Sequence, residues 1–258
     1  MTKKFFSMAM LAMLATAFVA CDNGDDDNES QSYKGTTGGH EWVDLGLTSG
    51  NLWATCNVGA TNPWDYGNYY AWGETETKNN YSWGTYKYCN GSYNSLTKYN
   101  DKTNYGTVDN KTTLESADDV AAAVFGADYS MPTTADWDEL SNQCYWVWTT
   151  NYNGQNVSGY IVYRAKSEGD KGVKVYADGT ALASYSLSDA HIFLPAAGFR
   201  NDSDLNLAGS YGYYWSSSLD ESSPRSARYC AFGSDYVGPT YIGDRYCGFS
   251  VRPVRRTN

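Results

Sequence analysis

Histidine is nearly missing from this chain: its 258 residues hold two, His40 and His191. Any acid–base scheme built on imidazole has only these to draw on. His40 opens His40-Glu41-Trp42-Val43-Asp44, which lacks the second histidine of a zinc-protease HExxH pattern, so it reads as a polar residue where the domain begins. His191 opens the apolar run Ile192-Phe193-Leu194, where a hydrogen-bonded structural histidine is expected. No glycine-rich phosphate loop, dinucleotide fingerprint or nucleophile elbow occurs, and nothing basic stands beside Ser216-Ser217-Ser218 to activate a hydroxyl. No CxxC spacing occurs, which removes the usual metal-cluster pattern. Asp202-Ser203-Asp204-Leu205-Asn206 alternates oxygen ligands as a calcium loop does, but it has no glycine or distant glutamate where an EF-hand needs them, so a solvated turn is expected. The expectation is a protein that is not an enzyme and needs no cofactor or metal.

Positive charge is scarce too, with 19 basic residues against 29 acidic ones, which disfavours nucleic acid as a partner. The apolar run from Phe5 to Val19 is too short to span a bilayer comfortably. It follows Lys3 and Lys4 and precedes the small Ala20, the layout of an export signal. Phe18-Val19-Ala20-Cys21 resembles the lipobox of bacterial lipoproteins, whose cysteine is acylated and becomes the first mature residue. Residues 1–20 are therefore read as a signal peptide and Cys21 as the lipidation site, with the membrane a partner through that lipid. Asp22, Asp25, Asp26, Asp27 and Glu29 follow in a stretch with almost nothing apolar, so residues 21–38 are expected as a solvated acidic tether. That stretch also resembles the surface-export signal of some Gram-negative lipoproteins, implying an outer-membrane protein that faces the cell exterior.

What is abundant is aromatic: 24 Tyr and 9 Trp, with 25 Gly. Rings, glycines and short alternating runs predict strands and ordered loops. Two segments read as helices. Thr112-Thr113-Leu114-Glu115 has a capping-box pattern leading into Val120, Ala121, Val124 and Phe125, with Gly126 as the stop. Pro132-Thr133-Thr134 opens the second, with Trp137, Leu140 and Cys144 on one face. Strands are expected at 145–149, 160–163, 173–176, 192–194, 211–215, 228–232 and 249–254. The fold class is α+β, mostly antiparallel strands with two helices, and residues 61–110 are long ordered loops held by rings. Besides Cys21 five cysteines remain, Cys56, Cys89, Cys144, Cys230 and Cys247, an odd number that cannot all pair.

The tail from Ser222 to Asn258 contains no Lys, Glu, Gln, Met or Trp, although the first 221 residues contain 36 of them and about six would be proportionate here. These five are the residues that codons ending in a pyrimidine cannot encode. Gly39-His40-Glu41-Trp42-Val43-Asp44-Leu45-Gly46-Leu47, Asn51-Leu52-Trp53-Ala54-Thr55-Cys56, Tyr70-Ala71-Trp72-Gly73-Glu74, Met131-Pro132-Thr133, Phe193-Leu194-Pro195-Ala196-Ala197-Gly198, Tyr213-Tyr214-Trp215-Ser216-Ser217-Ser218 and Gly248-Phe249-Ser250-Val251-Arg252-Pro253-Val254 carry a resemblance. They are similar to a family of exported bacterial lipoprotein domains related to the C-type lectin and formylglycine-generating-enzyme folds. The resemblance implies a C-type-lectin-like ligand-binding domain over residues 39–258. Some members are variable proteins of diversity-generating retroelements, whose C-terminal stretch is rewritten at adenines, and that process would leave such a codon bias. The calcium-sugar motifs of true C-type lectins are absent, and the copper-binding cysteine pair of the formylglycine-generating enzymes finds no convincing counterpart in Cys230 and Cys247.

In Arg228-Tyr229-Cys230-Ala231-Phe232-Gly233 side chains alternate, so Cys230 and Phe232 are expected in the core while Tyr229, Ala231 and Gly233 face outward. A loop from Gly238 to Cys247 is then expected to present Tyr241, Ile242, Gly243, Asp244 and Tyr246, with Arg245 and Gly248 as framework. With Arg225 and Tyr236 these residues make a binding site within 225–247 for a protein or glycan on another cell or phage surface, since tyrosine gives large contact area with few rotamers to freeze. The competing readings are a fixed structural or adhesive surface protein of fimbrial-tip type and a degenerate enzyme of the formylglycine-generating type.

Overall fold

Short runs of rings and β-branched residues, punctuated by glycine, become strands throughout the computed structural model, which describes residues 33–257. The export signal, Cys21 and the acidic stretch behind it lie outside the described residues. In chain order the strands are β1 (Lys34–Thr37), β2 (His40–Val43), β3 (Leu52–Ala54), β4 (Tyr129–Ser130), β5 (Cys144–Thr149), β6 (Gly159–Arg164) and β7 (Lys174–Val175). They continue as β8 (His191–Pro195), β9 (Phe199–Asn201), β10 (Asp204–Asn206), β11 (Gly212–Leu219), β12 (Ser226–Gly233), β13 (Tyr236–Asp244) and β14 (Val254–Arg255). Two α-helices, α1 (Val120–Phe125) and α2 (Thr134–Gln143), stand between β3 and β5.

The strands form four sheets, ordered β1-β2-β3-β14-β4, β7-β5-β6-β8, β11-β12-β13 and β9-β10. Only β5 with β7 is parallel among the described pairings. The fold is α+β with antiparallel strands dominating. Residues 34–37, expected as the end of the tether, instead pair with His40–Val43 through a turn at Gly38 and Gly39, both at positive φ. Glycine takes that backbone without the cost a Cβ would bring.

Alternation places the core on both faces of the inner sheets. In β5 and β8, Trp146, Ile192 and Leu194 join one apolar cluster while Tyr145 and Phe193 join another. In β11 and β12, Tyr214, Cys230 and Phe232 face that first cluster, and Trp215 and Ala227 face a third. The result is layered, with α2 lying against β11, β12 and β13.

Helix α2 starts where expected. Thr133 accepts from the Asp136 N–H at 3.2 Å and donates its own N–H to the Asp136 carboxylate at 2.7 Å, and Trp137 and Leu140 are fully buried. Helix α1 is a correction: it begins at Val120, capped by Asp119, which accepts from the Ala121 N–H at 2.8 Å. Thr112–Leu114 runs extended because the edge of β11 takes its backbone, with Leu219 N–H on Thr112 O at 2.8 Å and Leu114 N–H on Ser217 O at 3.0 Å. Gly126 ends the helix as expected.

Residues 61–102 carry no strand or helix, yet Tyr69, Tyr70, Trp72, Tyr81, Tyr86, Tyr88 and Tyr99 are buried there. Ring contacts such as Trp72–Tyr99 at 5.1 Å and Tyr88–Tyr99 at 5.7 Å replace regular pairing.

Candidate functional site

The tail supplies the middle strand and one edge strand of the β11-β12-β13 sheet. Cys230 and Phe232 are buried at 1% and 0% exposure, the parity expected from alternation. Tyr214 stacks on Phe232 at 5.7 Å, and Tyr160 meets it edge-on at 5.4 Å.

The opposite face departs from expectation. Ala231 and Gly233 are buried, not outward-facing, because rings roof them. Ala231 pairs with Tyr213 on one side and Gly238 on the other, and the Tyr241 ring lies over Gly238, 2.2 Å from where a Cβ would stand. Gly233 likewise sits under Tyr211 and Tyr236. Tyr229 is half-buried, 4.9 Å from Phe249 and 6.0 Å from Trp215, so it packs on the core as much as it faces out.

The expected loop from Gly238 to Cys247 is largely strand. β13 pairs with β12 in the register Tyr229↔Tyr241, Ala231↔Gly238 and Gly233↔Tyr236, with a bulge at Pro239 and Thr240 opposite Cys230. Proline has no N–H for a ladder and fits a bulge on an edge strand. The extra residue returns Tyr241 to the face of Gly238 and Tyr236, which strict alternation would deny it.

A continuous ring surface follows. Tyr211–Tyr236 are 6.1 Å apart, Tyr236–Tyr241 6.2 Å, Tyr241–Tyr229 5.8 Å and Tyr229–Tyr213 5.9 Å. Burial pushes the Tyr229 hydroxyl up to about 12 and raises that of Tyr236, so both stay neutral hydrogen-bonding groups at physiological pH. Tyr241 is 44% exposed. Ile242 is 51% exposed and shares the Arg228 side of the sheet, so it points away from these rings. Gly243 lies under Tyr229.

Beyond the strand, Arg225 grips Asp244 with its fork, Nε at 2.9 Å and Nη2 at 3.0 Å, and lies 4.9 Å over Tyr93. Tyr246 packs edge-on against Trp83 at 5.2 Å. Cys247 is a free thiol pushed up to about 12 by burial and then by the Asp244 charge, which leaves it unreactive at neutral pH. Arg245 is fully buried, as a framework residue should be.

Of the twelve expected site residues, then, Tyr236 and Tyr241 form the accessible ring face with Tyr229 as its support. Ala231, Gly233, Gly238 and Gly243 are the floor, and Arg225, Asp244, Tyr246 and Cys247 form a neighbouring brace. Tyr211 and Tyr213 belong to the same face and lie outside the tail. Their signal was the alternation Tyr211-Gly212-Tyr213, which puts both rings on one side of a strand.

The other candidates settle into structural roles. His191 is buried, with Nδ1 2.8 Å from Asp189 O and Nε2 2.9 Å from the Tyr152 hydroxyl, and burial lowers its pKa. The His40 ring stacks on Phe125 at 3.6 Å. Asp202, expected in a solvated turn, forms the tip of the β9-β10 hairpin, and its backbone pairs with Tyr81.

Residues 138–254, which include the whole ring face, match a family described as a domain of unknown function (DUF8237). No curated protein and no solved structure matches the chain.

Proposed function

We propose that this chain is a lipoprotein anchored at Cys21 in the outer membrane and displayed to the exterior, whose C-type-lectin-like domain binds a protein or glycan on another cell or phage surface. The contact is the ring face of Tyr211, Tyr213, Tyr236 and Tyr241, and the exposed part of the tail is diversified between copies of the gene. The observation that carries this reading is the division of the tail: Thr240, Tyr241 and Ile242 are exposed on a paired strand, while Arg245, Phe249 and Arg252 are buried. Exposed positions can change without disturbing the core. The five residue types missing after Ser222 fit rewriting that leaves pyrimidine-ending codons. Two or three rigid rings at the centre of a face supply most of an interface's energy.

A fixed adhesin is the second reading, and one contact favours it. The Tyr241 ring occupies the space any side chain at Gly238 would need, so part of the face is specified as a set. The formylglycine-generating reading draws no support from the cysteines, since Cys230 faces one apolar cluster and Cys247 packs against another.

Comparing near-identical copies of the gene decides between the first two. Changes confined to adenine-derived positions such as those of Thr240, Tyr241 and Ile242 support diversification, whereas changes scattered through residues 39–258 overturn it. For the anchor, Cys21→Ala is expected to abolish incorporation of labelled fatty acid, because acylation needs the thiol. A labelled variant would refute it.

A further inference from the structure

Among the described residues Arg200, like Arg255, holds its charge against an aromatic ring and no carboxylate. Arg164, Arg225, Arg228 and Arg256 each hold a carboxylate at 3.0 Å or less. Arg245 and Arg252 are fully buried among main-chain carbonyls, and Arg255 lies over the Trp42 ring. Arg200 meets no carboxylate of the described residues within 4.0 Å. Among those residues its one side-chain hydrogen bond goes from Nη1 to Ser203 O at 3.2 Å, and its guanidinium sits 5.4 Å from the centre of the Tyr69 ring.

Arg200 lines a cavity of about 340 Å³ between the loop of residues 67–81 and the β9-β10 hairpin, with Asn68, Thr77, Lys78 and Asn79 also lining it. The floor is rigid: Tyr69 and Tyr81 are 7% and 1% exposed, and their hydroxyls are held by Ala197 O at 2.5 Å and Tyr69 O at 2.6 Å. Lys78 spends its charge on Glu74 at 2.8 Å, so Arg200 is the unspent cation. The side chains of Thr77 and Asn79 make no hydrogen bond among the described residues, and Asn68 makes one, from Nδ2 to the Tyr70 hydroxyl at 3.3 Å.

We propose that this cavity binds the carboxylate of an acidic sugar, a uronic acid at the end of a glycan. A planar carboxylate matches the two parallel N–H groups of a guanidinium, and the charge-assisted pair is among the stronger polar contacts available. The hydroxyl of Thr77 and the amides of Asn68 and Asn79 offer both donors and acceptors for ring hydroxyls. The volume lies at the small end of the range for ligand pockets, the scale of a monosaccharide and not of a folded partner. On a chain with formal charge −10, a local cation also sets where an acid can approach. The site lies outside the ring face and stands or falls independently of it. It is tied to the tail by Arg200 N–H on Gly248 O at 2.8 Å and Gly248 N–H on Arg200 O at 2.9 Å.

The test is titration of the full-length protein with methyl β-glucuronide, methyl β-glucoside, acetate and N-acetylglutamate amide, followed calorimetrically and by thermal melting. The glucuronide is expected to bind, and the glucoside at least about tenfold more weakly, because it leaves the guanidinium unpaired. Arg200→Gln is expected to weaken glucuronide binding by a similar factor. Asn79→Asp, on an exposed loop, sets a carboxylate beside the same cavity and is expected to do likewise with an unchanged melt. Equal binding of glucoside and glucuronide overturns the proposal, as does wild-type glucuronide affinity in both variants, or no glucuronide binding at all. Acetate or N-acetylglutamate amide binding as tightly as the glucuronide would assign the cavity to a bare carboxylate or an acidic peptide and overturn the sugar.

Discussion

Single side chains on the two faces of β12 do different work. Phe232 fills the space between Tyr214 and Tyr160, so Phe232→Ala is expected to cost about 3–5 kcal/mol, the usual range for emptying a packed aromatic site. Cys230→Ser adds a hydroxyl to the same apolar cluster and is expected to cost about 1–3 kcal/mol. Thermal melts check both, and wild-type melts would reverse the strand's parity. On the ring face the critical pair is Gly238 and Tyr241. Gly238→Ala places a methyl where the Tyr241 ring lies, but that ring is 44% exposed and can swing away, so the expected cost is only about 1 kcal/mol. Tyr241→Ala alone is expected to leave the melt nearly unchanged and to weaken ligand binding by about 2 kcal/mol. In the double variant the Gly238→Ala penalty disappears, giving a coupling energy that a double-mutant cycle reads directly. Additive effects would mean that the ring does not rest on the glycine.

At the scale of elements, what could be read in advance depended on whether local preference and tertiary pairing agreed. They agree in α2, where Thr133 and Asp136 cap the helix and Trp137 and Leu140 define its inner face. They agree again in β12, whose alternation assigns Cys230 and Phe232 correctly. They conflict at Thr112–Glu115, a sound local capping pattern whose backbone is taken by the edge of β11. They conflict in β13 as well, because Pro239 and its bulge interrupt the alternation that marks a strand. Half of the ring face was therefore legible and half was not: Tyr236 and Tyr241 come from the tail, but Tyr211 and Tyr213 join them only through strand pairing. The start of α2 also carries a pH-sensitive link. Burial pushes the Asp136 carboxyl up, but the Arg256 fork at 2.8 and 2.9 Å and the bonds to Thr133 outweigh it and hold the pKa below its ordinary value. A lowered carboxylate pKa stabilises the fold above the unfolded value of about 3.9, and that stability is lost as pH falls through the folded value. Arg256→Gln is therefore expected to cost about 1–3 kcal/mol at pH 7, with the difference from wild type narrowing as the pH falls through the lowered folded-state pKa of Asp136. A gap that stays constant in acid, measured by denaturant melts across that range, would mean the pair contributes no charge effect.

Across the whole molecule, two buried cations hold the tail to the rest of the chain. Arg252 donates to Asn57 Oδ1 and to the carbonyls of Ala54, Thr55 and Phe193, and Arg245 donates to the Tyr86 hydroxyl and to the carbonyls of Lys98, Tyr99 and Pro224. Neither meets a carboxylate among the described residues; the carbonyl dipoles, with Trp72 and Tyr86 about 5 Å from the Arg245 guanidinium, replace the lost water. The framework role of Arg245 was legible, but its partners were not, because they lie at Tyr86, Lys98, Tyr99 and Pro224, which no local pattern joins to it. The geometry makes Arg245→Lys a severe change despite the kept charge. An ammonium on a flexible stem is a point donor and cannot reach four acceptors arranged around a planar fork, so the variant leaves buried carbonyls unpaired around a poorly solvated cation. Disrupting a buried charge in this way costs about 3–5 kcal/mol. In a domain of this size each kcal/mol lowers the melting temperature by about 2–4 °C, so a drop of roughly 6–20 °C is expected. Added salt should restore little of it, because screening acts weakly on groups removed from solvent. Ligand binding by Arg245→Lys should fall only as far as the folded fraction falls, and should return to wild-type affinity when the protein is cooled well below its melt. Tyr241→Ala is the opposite case, folded at every such temperature and still weak in binding. If Arg245→Lys melts like wild type, the arginine does not clamp the fold, and if the variant stays weak in binding while fully folded, the arginine shapes the ring face beyond holding the fold together.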